Sequence, residues 1–169
     1  MISLREITTR NYSECISLEV NESQKNYVYS NLESLKKWEN SKINLVPLAI
    51  YINETIIGFL MYKVNWKYDC YFLWSFMVDK KYQGFGFGKK ALANLVSKLG
   101  NENKCSRITT TVVEGNEVVL SMYIKAGFRT LGEMQEGEID LERIIDWLYI
   151  ILKIRYVELR NKWDCIEHN

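Results

Sequence analysis

Tyr71-Phe72-Leu73-Trp74-Ser75-Phe76-Met77-Val78, then Gln83-Gly84-Phe85-Gly86-Phe87-Gly88, then Lys89-Lys90-Ala91-Leu92-Ala93-Asn94-Leu95-Val96-Ser97-Lys98-Leu99-Gly100, is the stretch that decides the fold. The first run is apolar, aromatic and β-prone, and reads as a strand. Glycines at alternate positions let the backbone turn sharply and aim successive N–H groups at one point, an arrangement suited to phosphate. Leu92, Leu95, Val96 and Leu99 recur at i, i+3, i+4 and i+7, so the spacing predicts a helix closed at Gly100. That helix adds the positive end of its dipole at the glycine turn. Lys89 and Lys90 sit in its first turn, where the dipole disfavours cations and a bound anion would compensate them. A flexible surface turn with solvated lysines is the ordinary alternative for the glycines alone. A dinucleotide fingerprint is the nearest motif, but it needs an acidic residue at a strand end ~20 positions on. Glu102 lies near that distance, in the polar loop expected from Asn101 to Lys104.

The 169 residues suit one domain with a real core, with 47% hydrophobic and 25% charged residues. Lys plus Arg number 22 against 21 Asp plus Glu, so no net field recruits nucleic acid or an anionic membrane. The longest apolar run, Trp147 to Leu152, is far shorter than the ~20 residues that span a bilayer. Cys15, Cys70, Cys105 and Cys165 are widely spaced, and Met1 to Arg10 lacks a signal-peptide core, which predicts reduced thiols in a cytoplasm. The only histidine, His168, is next to the last residue, which removes His-based triads and most zinc sites. No metal is expected.

Outward from the glycine turn, strands are expected over Ile2 to Thr8, Leu48 to Ile52, Ile56 to Tyr62, Arg107 to Val113 and Phe128 to Met134. Asn53-Glu54-Thr55 reads as a hairpin turn, and Pro47 as the first residue of its strand. Helices are expected from Asn11 or Ser13 through Leu18, across Tyr27 to Glu39 with Leu32, Leu35 and Lys36 on one face, and across Asn116 to Ala126. The order β-α-α-β-β-β-α-β-α-β describes a mixed α/β domain and not a doubly wound sheet.

In the last helix Asn116 reads as the N-cap, and Val119, Met122, Tyr123 and Ala126 share an inward face. Taken singly, Tyr123 is an ordinary core tyrosine and Asn116 an ordinary cap. Together, Q-x-x-G-x-G, a helix, a strand ending near Val113 and N-x-x-x-x-x-x-Y-x-x-x-G-F resemble the GNAT superfamily of acetyl-coenzyme A-dependent N-acetyltransferases, from Ile2 to about Ile139. Leu18-Glu19-Val20, Tyr27 to Leu35, Ile57 to Tyr62, Phe76 to Asp79 and Gly132-Glu133-Met134 are similar to the bacterial diamine and spermine/spermidine acetyltransferase branch.

The resemblance implies an α+β fold, with a central mixed, mostly antiparallel sheet of about six or seven strands, about four flanking helices, and a splay between the fourth and fifth strands. It implies acetyl-coenzyme A as cosubstrate, its pyrophosphate on the backbone of Gln83, Gly84, Phe85, Gly86, Phe87, Gly88 and Lys89, and its pantetheine paired with Met77 and Val78. Asn116 would bond the pantetheine arm, Tyr123 would face the thioester sulfur as general acid, and Lys125 would meet the nucleotide end. The acceptor would be a primary amine of a small polyamine or diamine. An aminoglycoside or protein amino group is the alternative acceptor, and a non-catalytic coenzyme A-binding module the alternative class.

An amine with a pKa near lysine's ~10.4 must lose a proton before attack, and Glu33, Glu138 and Asp79 are the carboxylates considered as base, with Glu33 the first choice. Tyr27, Tyr29, Trp38 and Trp66 supply aromatic faces for cationic amines, with Glu33 as carboxylate, and Trp74 and Glu138 are further candidate substrate residues. Trp74 and Ser75 stand where the family more often has charged residues. The domain is expected over 1–145, with 146–169 an extension packed on the same domain or on a partner subunit, which leaves a homodimer open.

Overall fold

Runs of β-branched and aromatic residues need partners on both backbone edges, and here they find them in one seven-stranded sheet of order β1-β2-β3-β4-β5-β7-β6. A computed structural model describes residues 1–132 and 137–145. The strands are β1 (Ile2–Glu6), β2 (Leu45–Ile52), β3 (Thr55–Asn65), β4 (Cys70–Val78), β5 (Arg107–Val113), β6 (Arg129–Thr130) and β7 (Glu138–Ile144). The helices are α1 (Tyr12–Ile16), α2 (Asn31–Glu39), α3 (Phe87–Glu102) and α4 (Glu117–Lys125). The predicted extension over 146–169, Cys165 and His168 lie outside the described residues, as does part of the predicted Phe128–Met134 strand.

Every strand pair is antiparallel except β4 with β5. That parallel ladder is short: Cys70 pairs with Arg107, Tyr71 with Ile108 and Phe72 with Thr109, after which β4 continues to Val78 and β5 to Val113 without pairing to each other. The sheet therefore splays between its fourth and fifth strands. On one face α3 and α4 cover a core that includes Leu60, Tyr71, Leu92, Leu95, Leu99, Ile108 and Leu141. On the other, a smaller core forms around Cys15, Leu35, Leu45, Phe59, Met61 and Met77.

Several predicted boundaries move for identifiable reasons. Helix α2 starts at Asn31, not Tyr27, because Ser30 caps it: Ser30 Oγ accepts from the Glu33 N–H, and Glu33 Oε2 accepts from the Ser30 N–H. Its buried face is Asn31, Ser34 and Leu35, while Leu32 and Lys36 face solvent. Helix α3 runs through Gly100 and ends where Asn103 takes the left-handed conformation, φ 48°. Glu102 is thus the last residue of that helix, ion-paired with Lys98 at 2.8 Å, and not a loop residue. Pro47 sits inside β2, beyond the last β1 pair at Glu6 and Leu48, so one edge has no strand neighbour to miss its N–H.

Candidate active site

The splay opens a cleft of about 1230 Å³ between β4, β5, the glycine turn and the first turns of α3 and α4. Gly84 and Gly86 have φ of 83° and 75°, left-handed values that L side chains rarely adopt, which is what bends the turn back on itself. Gly86 is the N-cap of α3 and offers no side chain, so the N–H groups of the first turn receive no capping acceptor from the helix's own cap residue. That turn carries no acidic residue and holds Lys89 and Lys90. A Cβ on Gly88 would come within 3.3 Å of Met122 Sδ and 3.7 Å of Val78 Cγ2, so this glycine lets α3 approach α4 and β4 closely.

The Gln83 side chain fastens the turn. Its Nε2 donates to the Val78 carbonyl (2.8 Å) and to Gln24 Oε1 (2.9 Å), and its Oε1 accepts from Asn21 Nδ2 (2.9 Å). The glutamine in the motif is thereby a strut between the turn, the end of β4 and the 3₁₀ turn at Glu22–Gln24.

Tyr123 is carried inward by α4, as its spacing predicts, and is 3% exposed. Its ring packs edge-on against Phe128 at 5.1 Å and tilted against Phe76 at 6.4 Å. Burial pushes the phenol above the usual tyrosine range, opposed only by a hydrogen bond with Thr110, so the hydroxyl is held protonated at neutral pH. Thr110 Oγ1 donates to the Leu73 carbonyl at 3.0 Å, one position past the last β4–β5 ladder pair. This side-chain bond replaces the ladder where it stops, and Tyr123 stands beside it.

Of the residues singled out from the sequence, Met77, Val78, Gln83, Gly84, Gly86, Phe87, Gly88, Lys89, Asn116, Tyr123 and Lys125 all line the cleft, together with Tyr27, Tyr29, Trp74 and Glu138. Phe85 does not: it is 68% exposed, with its ring 5.9 Å from that of Phe87. The Asn116 side chain makes no capping bond, contrary to its predicted role, because the residue sits at φ −89° and ψ 59°. Glu33 lies outside the lining, and its carboxylate caps α2. The Ser30 hydroxyl and N–H, at 2.6 and 3.0 Å, hold it below the usual carboxylate range. Asp79 is buried, outside the lining, and accepts from the Glu19 and Lys81 N–H groups at 3.0 and 2.9 Å. Trp38 packs in the smaller core and Trp66 is exposed, neither on the cleft. Thr110, Ser75, Phe72 and Lys63 line the cleft without having been singled out as contacts from the sequence. Their β-run gives no signal for which side opens.

The profile of the Acetyltransferase (GNAT) family matches residues 2–128. The chain belongs to the GNAT acetyltransferase family. This acetyltransferase is 32% identical over 142 residues to a probable spermine N(1)-acetyltransferase of Bacillus subtilis subsp. natto, covering 79% of this chain and 91% of that one. It is 31% identical, with the same coverage, to the spermine/spermidine N(1)-acetyltransferase of Bacillus subtilis strain 168. Its fold superposes on a spermidine N-acetyltransferase from Vibrio cholerae, solved in complex with CoA and spermine, with a TM-score of 0.70 at 15% identity, covering 85% of this chain and 95% of the other. The splay, uncapped helix N-terminus and basic first turn fit acetyl-coenzyme A, the cosubstrate of such an enzyme. Among the described residues no group of three or more His, Cys, Asp or Glu side chains is placed to hold a metal ion. No helix among them is long and apolar enough to cross a membrane.

Proposed function

We propose that this acetyltransferase moves an acetyl group from acetyl-coenzyme A to a primary amine of a small polyamine or diamine, within a ternary complex. The observation that carries the chemistry is the junction of the β4–β5 splay, the uncapped glycine turn and a buried, protonated phenol on one cleft. The acceptor class is supported by what the two Bacillus relatives are named for.

The backbone of Gln83 to Lys89 binds the diphosphate, the unpaired edge at Met77 and Val78 takes the pantetheine arm, Asn116 bonds that arm, and Lys125 meets the nucleotide end. Acetyl-coenzyme A supplies an activated thioester. The chain's task is therefore alignment and two proton movements. Tyr123 Oη gives the proton that the departing thiolate takes up. Of the three carboxylates weighed as base, only Glu138 lines the cleft, while Glu33 and Asp79 are committed to backbone N–H groups. Glu138 is accordingly assigned the removal of the amine proton. Tyr27 and Trp74 face the acceptor.

A cytoplasmic location and a homodimer belong to the same reading. The buried thiols of Cys15 and Cys70, neither in a disulfide, support the first, and sizing by light scattering tests the second. Release of free coenzyme A with spermidine, an aminoglycoside, a peptide or no acceptor tests the function. Turnover confined to the polyamine supports it, and turnover confined to another acceptor, or none, overturns it.

A further inference from the structure

Strand β4 carries a bulge at Trp74. Met61 pairs with Ser75 and Tyr62 with Leu73, which leaves Trp74 between them with no partner on β3. Trp74 keeps the face of Phe72 two residues before it, packing beside the smaller core with its ring 5.9 Å from that of Phe72 in an edge-to-face pair, and the faces reverse only beyond it, where Phe76 turns to the main core. Both rings line the cleft.

Two cations already use these rings. Lys37 Nζ, from α2, lies 4.0 Å from the Trp74 ring centre. Lys63, paired directly across from Phe72, also lines the cleft and holds its Nζ 5.3 Å from each ring centre. Among the described residues neither lysine forms an ion pair. The rings are therefore the contacts that receive these two charges. A lysine side chain is four methylenes ending in an ammonium, which is the chemical fragment of the aminobutyl arm of a polyamine. A surface that accepts one at cation–π distance accepts the other.

We infer that Phe72 and Trp74 form the subsite for a non-reacting ammonium of the acceptor, occupied by Lys63 and Lys37 until the acceptor arm displaces them. The inference rests on the polyamine reading above and extends it from the acceptor class to the residues that select it. It also gives Trp74 a role that fits its departure from the charged residue common in the family: a ring face recognises an ammonium without adding a carboxylate.

The consequence is unusual enough to test by gain of affinity. Lys63→Met and Lys37→Met each remove a resident competitor and a repelling charge, so each should lower KM for spermidine, and the Kd of spermidine for the coenzyme A complex by calorimetry, by about 3- to 10-fold. Trp74→Leu should raise both by a similar factor, and Trp74→Phe should restore most of the loss. A merely structural lysine–tryptophan contact predicts no tightening in the lysine variants. If the wild type turns over spermidine and both lysine variants leave its KM and Kd unmoved or weaker, the subsite is overturned while the acetyltransferase reading stands. A wild type that acetylates no polyamine but another amine overturns the acceptor reading, and the subsite with it.

Discussion

Replacing Tyr123 by Phe removes one oxygen from the centre of the proposed chemistry and little else. The ring contacts to Phe128 at 5.1 Å and Phe76 at 6.4 Å do not involve the hydroxyl, and Thr110 keeps its own acceptor in the Leu73 carbonyl at 3.0 Å. What is lost structurally is one hydrogen bond, about 0.5–1.5 kcal/mol. The proton donor to the leaving thiolate is lost as well, and removal of a general acid lowers kcat about 10- to 1000-fold, or ~1.4–4 kcal/mol in the barrier. The two effects separate cleanly. Release of coenzyme A should be followed with acetyl-coenzyme A and spermidine both saturating, beside a thermal melt of the same preparation. The pH profile adds a third readout. Because burial raises the Tyr123 phenol, the wild type should keep its donor protonated past the ordinary tyrosine value of ~10, with activity lost only above it on this account. A Tyr123→Phe enzyme with unaltered kcat, or one whose loss tracks its unfolded fraction, refutes the assignment.

Gly86→Ala meets nothing within 4 Å, so its effect comes only from forcing a side chain to φ 75°, about 1–2 kcal/mol. The turn should relax away from the phosphate geometry, weakening coenzyme A by roughly 10-fold in calorimetry, and unchanged affinity speaks against backbone recognition there. Glu33→Gln separates a cap from a base: loss of a base costs about 100-fold or more, whereas a residue that only caps α2 should leave kcat within about threefold. Cys15 is fully buried, and burial pushes its thiol from 9.0 up to about 12. Its folded value is the raised one, so the stability it contributes is intact below pH 9 and is lost as pH climbs towards 12. Denaturant titrations of wild type and Cys15→Ala at two pH values check this: by pH 10.5 the wild type should have lost about 2 kcal/mol that the variant does not lose.

Much of the acetyltransferase is legible in its sequence alone. The strand, glycine turn and helix followed from local steric rules, since alternate glycines permit left-handed φ and an i, i+3, i+4, i+7 pattern permits one buried stripe. The inward position of Tyr123 followed from the same helical spacing. The Ser30-Asn31-Leu32-Glu33 capping box was also in plain view, and would have started α2 correctly and assigned Glu33 to it.

Other features depended on contacts between residues far apart in the chain. Where the β4–β5 ladder stops, which side of each strand then opens on the cleft, and the placement of Thr110 beside Tyr123 are set by how two helices and seven strands fit around one core. The bulge at Trp74 shifts one residue out of register and reverses the faces beyond it, and nothing in Leu73-Trp74-Ser75 announces that shift. Local sequence fixes which torsions a backbone can adopt. Pairing partners and facing side chains are chosen only when the whole sheet closes its hydrogen bonds and buries its apolar surface at once.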